Sequence, residues 1–141
     1  MSHYLDTSVV VALLERDAHS FAADAWLTRS SPTMLVSDFC AVEFSAVISR
    51  RVRMNSSTPE IANATLRDFD KWLLRSVRLV PCGPEQIRAA GQIVRHFSTK
   101  LNAPDAIHLA MTRHLDCTLA TFDERLAEAA RLHKVPVIIP A

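Results

Sequence analysis

Five short apolar stretches of strand length occur in the chain, at residues 3–6, 34–37, 77–80, 118–121 and 135–139. Between them, apolar residues recur at three- and four-residue intervals. Helical and strand-length patterns that alternate in this way build a parallel sheet covered by helices, because each parallel crossover needs a helix to return the chain. Ala41, Phe44, Ser45, Ile48 and Val52 form one helical stripe. Ile61, Thr65, Phe69, Trp72 and Leu73 form another, opened by Thr58-Pro59-Glu60, a capping hydroxyl followed by proline at the first helical position. A third runs Ile87, Ala90, Gly91, Val94 and Phe97, with Arg88, Gln92 and Arg95 opposite. Asn102-Ala103-Pro104 opens a helix reaching His114, and Asp123 caps a last one carrying Leu126, Ala129 and Ala130. The expected fold is a single three-layer α/β/α sandwich over residues 1–141, with a central parallel sheet of four to five strands. The aliphatic, non-alternating runs 77–80 and 135–139 read as strands covered on both faces.

Composition removes several function classes. Of 141 residues, 49% are hydrophobic, enough for one core without metal or disulfide staples. Only two glycines are present, Gly83 and Gly91, which excludes the glycine-rich phosphate cradles of P-loop and dinucleotide-binding enzymes. The three cysteines, Cys40, Cys82 and Cys117, lack CxxC spacing and read as small buried hydrophobes in a reducing cytoplasm. No HExxH or GxSxG motif occurs, and His108, on an apolar helix, reads as a hydrogen-bonded core histidine. The longest apolar run, residues 9–14, is too short to span a membrane, and no secretory signal is visible, so a cytoplasmic location is expected. A net charge of +1 confines any nucleic-acid surface to local basic clusters. Arg50, Arg51 and Arg53 form the tightest, which reads as a helix C-terminus complementing the dipole or as a patch positioning an RNA backbone. Arg67, Lys71 and Arg75 could extend it.

The acidic residues fall where chemistry is expected. In an open parallel sheet, ligands bind outside the carboxyl ends of the strands. Asp6 ends the first strand, and Asp123 follows the fourth. Ser37-Asp38 ends the second strand and leads into the helix carrying Glu43, while Asp105 lies in the first turn of the helix before the fourth strand. Glu43 and Asp105 stand among residues that should be buried, which costs several kcal/mol per charge unless something compensates it. Several acids in one pocket raise each other's pKa, and a divalent cation relieves both penalties; all-oxygen ligation selects Mg²⁺ or Mn²⁺. Plainer roles remain open: Asp6, Asp105 and Asp123 as helix-start charges, Glu43 as an ion-paired acid. Asp38 reads as a helix cap and Asp116 as a turn residue. Residues 9–14, with Phe21, Trp26 and Phe44, read as core.

Leu5-Asp6-Thr7-Ser8, Glu43, Pro104-Asp105-Ala106-Ile107-His108-Leu109-Ala110 and Thr121-Phe122-Asp123 occur in an order and spacing that resemble a PIN-domain ribonuclease. The likeness is specifically to the VapC-type toxins of type II toxin–antitoxin pairs, and it covers essentially the whole chain. It implies an RNA endonuclease that uses metal-activated water and leaves a 5′-phosphate and a 3′-hydroxyl. It maps the catalytic acids onto Asp6, Glu43, Asp105 and Asp123. Asp6 and Asp105 would hold Mg²⁺, with Mn²⁺ as a substitute, and Glu43 and Asp123 would bind directly or through water. Ser8 and Thr121 match the family's hydroxyls beside the first and last acids. A cognate antitoxin helix, in a groove partly lined by residues 9–14, and a homodimer are implied likewise. Two other classes remain for comparison. A catalytically silent PIN-like binding module is disfavoured by the presence of all four acids. A phosphoacceptor receiver domain wants an acidic pair after the first strand and a late lysine; here Asp6 stands alone.

Overall fold

The computed structural model describes residues 1–141, in which five strands alternate with seven helices. In chain order these are β1 (Ser2–Leu5), α1 (Thr7–Leu14), α2 (Ser20–Ser30), β2 (Thr33–Ser37), α3 (Asp38–Arg53), α4 (Pro59–Arg75), β3 (Arg78–Val80), α5 (Pro84–Val94), α6 (Ala103–His114), β4 (Thr118–Ala120), α7 (Glu124–Leu132) and β5 (Val137–Ile138). All neighbouring strands pair in parallel, in the order β3-β2-β1-β4-β5. The chain builds outward from β1 to β3, then crosses back to place β4 and β5 on the other side. The order therefore reverses between β1 and β4, the switch point at which open α/β sheets leave a crevice.

Each strand face feeds one of two cores, as the two-residue period of a strand requires. Tyr4, Leu35 and Leu119 pack with Ile93 of α5, Leu109 and Met111 of α6 and Leu126 of α7. Leu5, Val36 and Ala120 point the opposite way, to Val9 of α1, Trp26 of α2, Phe44 and Ile48 of α3 and Phe69 of α4. Phe44 and Phe69 stack with ring centroids 4.2 Å apart. Three strands turn into a helix with almost no loop, and the turning residue is the cap. Asp6 accepts from the Val9 amide, Ser37 from Cys40 and Asp123 from Arg125. Thr58 and Asn102 cap α4 and α6 as their sequences foretell.

Several expectations are corrected. The runs expected to be covered on both faces are the two sheet edges: β3 exposes Arg78 and Leu79 and buries only Val80, and both residues of β5 are half-buried. The fully covered positions are in β2, β1 and β4, the three inner strands of the sheet. Phe97 does not continue the α5 stripe; the helix stops at Val94, and Phe97 sits in a following 3-10 turn, 87% exposed. Phe21, expected in the core, is also 87% exposed, whereas Trp26 and Phe44 are buried. On α4 the buried residues are Ala62 and Phe69, and Ile61 faces solvent, because the helix packs on a narrow face chiefly against α3 and β3. Ser37, not Asp38, caps α3; the Asp38 carboxylate instead accepts from the Cys82 amide at 2.8 Å. Cys40 and Cys117 are buried free thiols and Cys82 is a half-buried one. Asp116 is a left-handed turn residue with φ 49°. No helix is long and apolar enough to cross a membrane.

The contrast between two phenylalanines is a direct test of this packing. Phe44→Ala lowers the unfolding free energy by about 3–5 kcal/mol in denaturant titrations, while Phe21→Ala changes it by no more than about 0.5 kcal/mol.

Candidate active site

Asp6 follows the last residue of β1, and its amide still bonds to the Ala120 carbonyl of β4 at 3.2 Å. Its Oδ1 accepts from the Ser8 hydroxyl at 2.6 Å and the Val9 amide at 3.2 Å, and its Oδ2 accepts from the Thr121 hydroxyl at 2.5 Å. Ser8 Oγ in turn accepts from the Phe122 amide at 3.0 Å, and Thr121 Oγ1 from the Asp123 amide at 2.9 Å. Two hydroxyls thus tie the end of β1 to the end of β4 through one carboxylate. At 4% exposure Asp6 is the most deeply buried of the four acids, and burial raises its pKa against the opposing pull of His108 and the three donors. Glu43 and Asp105, expected to be the buried pair, are only half-buried. They lie at the border of the core face of their helices, and Val42, beside Glu43, is 67% exposed.

Glu43 projects from α3 toward the start of α1. Its Oε1 accepts from the Thr7 hydroxyl at 2.6 Å and lies 2.5 Å from His108 Nε2 of α6. A carboxylate only accepts, so Nε2 carries the hydrogen of this bond. In that tautomer Nδ1 accepts from the Tyr4 hydroxyl at 2.8 Å, and the Tyr4 oxygen accepts from Ser37 Oγ, also at 2.8 Å. Ser37 Oγ accepts from the Cys40 amide at 3.0 Å, so the chain of donors is complete from the helix cap to Glu43. Burial pushes the Glu43 pKa up, but the hydrogen bond to His108, the charge of that ring when protonated, and Thr7 outweigh it and hold it below the ordinary value. His108 is the buried, hydrogen-bonded histidine that its helix foretold, but its partner belongs to the acid cluster. Its place one turn beyond Asp105 on the same helix was the available signal. Tyr4, Thr7 and Ser37 had no comparable signal beyond the need of a buried phenol for a partner.

Asp105 stands in the first turn of α6, where its amide bonds to Asn102. Its side chain makes no hydrogen bond to the protein. Burial first, then the negative charge of Asp123, raise its pKa to about 6, with Asp6 and Glu43 adding and His108 opposing. Asp123 caps α7, its Oδ1 accepting from the Arg125 and Leu126 amides. The four acids singled out in the sequence therefore converge, from the ends of β1 and β4 and from α3 and α6. The basic cluster divides. Arg50 and Arg53 line a hollow of about 310 Å³ together with Thr7 and Glu43. Arg51 instead pairs with Glu15.

No three histidine, cysteine, aspartate or glutamate side chains are grouped so as to hold a metal ion in their present positions. The donor chemistry nevertheless suits one. The acids are hard oxygen ligands, no lysine or arginine is bonded to any of the four, and the repulsion that Asp105 bears from three neighbours is opposed only by His108. Asp6 Oδ2, with one donor, retains a free acceptor site. The donor chemistry of these residues fits an oxygen-preferring divalent cation.

Fold and site together define a parallel α/β protein with an acidic switch-point crevice. A family model for the PIN domain matches residues 3–132, and the chain belongs to that family. Among solved structures, it resembles VapC20 of Mycobacterium tuberculosis, described as a sarcin-ricin loop cleaving toxin, with TM-score 0.72 and 24% identity over 90% of this chain and 94% of the other. It also resembles VapBC2 of Rickettsia felis, bound to a promoter DNA fragment, with TM-score 0.70 and 17% identity over 98% of both chains. FitAcB of Neisseria gonorrhoeae is similar too, with TM-score 0.69 and 20% identity over 98% of this chain and 97% of the other. No curated protein matches the sequence.

The raised Asp105 pKa has a sign that can be measured. In the folded chain this carboxyl holds its proton above the ordinary 3.8, so its contribution to stability is present at low pH and is lost as pH rises through about 6. In metal-free buffer, thermal unfolding should show Asp105→Asn more stable than the parent by a few degrees near neutrality. The gain should vanish once pH falls below the ordinary aspartate range, and Mg²⁺ should stabilise the parent more than the variant.

Proposed function

We propose that this chain is a divalent-metal-dependent endoribonuclease and acts as the toxin of a toxin–antitoxin pair. The observation that carries the reading is the half-buried Asp105 carboxylate, without a hydrogen bond and beside three other acids that raise its pKa. A cluster of this kind is tolerable when a cation shares it. Asp6 and Asp105 would hold Mg²⁺ or Mn²⁺, with Glu43 and Asp123 contributing directly or through water. Bound there, the ion would supply Lewis acidity toward a phosphoryl oxygen and a lowered pKa for an attacking water.

The protein's own groups do the rest. Ser8, Thr121 and the Val9 amide fix the Asp6 carboxylate so that one lone-pair direction of Oδ2 stays open. His108 and Thr7 occupy Oε1 of Glu43 and keep it ionised, leaving Oε2 to accept a proton or orient water. Arg50 and Arg53, in the hollow that reaches Glu43, would hold the phosphates flanking the scissile one. The products are a 5′-phosphate and a 3′-hydroxyl. An antitoxin partner and pairing with a second copy belong to the same reading; the VapBC2 and FitAcB structures it resembles support the former.

Cleavage of single-stranded RNA with Mg²⁺ or Mn²⁺ tests this. EDTA should stop the reaction, and Asp6→Asn or Asp105→Asn should abolish it with circular dichroism unchanged. Cleavage that persists in EDTA would sink the metal reading. The arginines separate by partner: Arg50→Ala and Arg53→Ala should each weaken RNA binding and reduce its salt slope by about one. Arg51→Ala, which loses only its contact with Glu15, should leave that slope unchanged.

A further inference from the structure

Thr7 and Val47 are shared by two hollows on the surface. One is the basic hollow of Arg50 and Arg53. The other, about 470 Å³, reaches the acid cluster at Ser8 and Asp123 and is lined beyond them by His19 and Phe122. These two rings lie stacked, with centroids 4.3 Å apart and planes 13° from parallel. The pair is not core: His19 is exposed and Phe122 half-buried. Nor is Phe122 loosely placed. Its amide is held by the Ser8 hydroxyl that also bonds Asp6, so the ring is registered to the first acid of the site. No cation lines this hollow, and its charged groups are Asp17 and Asp123, both acceptors when ionised.

Resting on the nuclease reading above, we propose that this second hollow is a nucleobase site. It takes one unstacked base of single-stranded RNA, adjoining the scissile phosphate, onto the His19–Phe122 stack. A polyanion seated along Arg50 and Arg53 is continuous across Thr7 and Val47 into the hollow. A phosphate inside the hollow is repelled by Asp17, whereas a neutral planar base stacks on aromatic rings regardless of its sequence. The acceptor Asp17 favours a base that presents an amino group, so adenine, cytosine and guanine are preferred to uracil. Thr7, Ser8, Asp17 and His19 line the hollow with polar groups that an apolar side chain of a protein partner would leave unpaired.

The test measures binding separately from cleavage. Fluorescein-labelled, unstructured single-stranded RNA of mixed sequence is titrated with the non-cleaving Asp105→Asn protein in Mg²⁺, and anisotropy gives the affinity. His19→Ala and Phe122→Leu, each added to that background, should weaken binding by about tenfold, while Phe122→Tyr, which keeps the ring, should not. An abasic nucleotide moved along the RNA should cost a similar factor at one position only, and should cost nothing further in Phe122→Leu. Uracil at that position should bind less tightly than the other bases. Unchanged affinity in both variants, or an abasic penalty that persists undiminished in Phe122→Leu, overturns the proposal. Position-specific binding by a chain that cuts no RNA would leave the base site standing and remove the nuclease reading instead.

Discussion

A single carboxylate holds the functional end of this molecule together. Asp6 is almost wholly buried, and an ion in that position survives only while donors surround it. Those donors come from the start of α1 and the end of β4, and each hydroxyl also accepts an amide of the β4–α7 turn. The carboxylate therefore welds together the two strands between which the sheet order reverses. Loss of either hydroxyl would free the turn carrying Phe122 and Asp123 as well as expose Asp6 to a desolvation cost with fewer partners.

Around that fixed point the two half-buried acids are driven in opposite directions. Glu43 has a histidine and a threonine on one oxygen, and their pull exceeds the cost of burial. Asp105 has no donor and faces three like charges. One acid is thus held toward its ionised form, and the other is pushed toward its protonated one. The difference comes from His108 and Thr7 on Glu43, and behind His108 a buried run continues through Tyr4 and Ser37 to the cap of α3. That polar run passes through a core that is otherwise aliphatic and aromatic. It couples the position of Glu43 to the start of the helix that carries it.

Much of this was legible in one dimension. The alternation of periods foretold a parallel three-layer sandwich. Thr58, Asn102 and Asp123 foretold helix starts, because a cap acts on amides two or three residues away and needs nothing distant. Acids next to strand ends, or within apolar runs, are anomalies visible locally, and the resemblance to PIN-domain ribonucleases singled out Asp6, Glu43, Asp105 and Asp123 among them. The misreadings share a different cause. Phe21 and Phe97 are apolar enough for a core, but no element covers the surface they occupy. Residues 77–80 and 135–139 have the composition of central strands, but the sheet order makes them edges, and order is settled by which strands the chain returns to.

The sequence by itself thus determined the element types and most of the helix starts, since these depend on neighbours within a few residues along the chain. Only the tertiary structure decided that Asp6 rather than Glu43 is the deeply buried carboxylate. It alone decided that His108 serves Glu43, that Arg51 is lost to Glu15, and that Phe122 stacks with His19. Each of these is a meeting of side chains brought together by the crossovers of the sheet, and hydrogen bonding, burial and charge repulsion act through space over distances that sequence spacing does not encode.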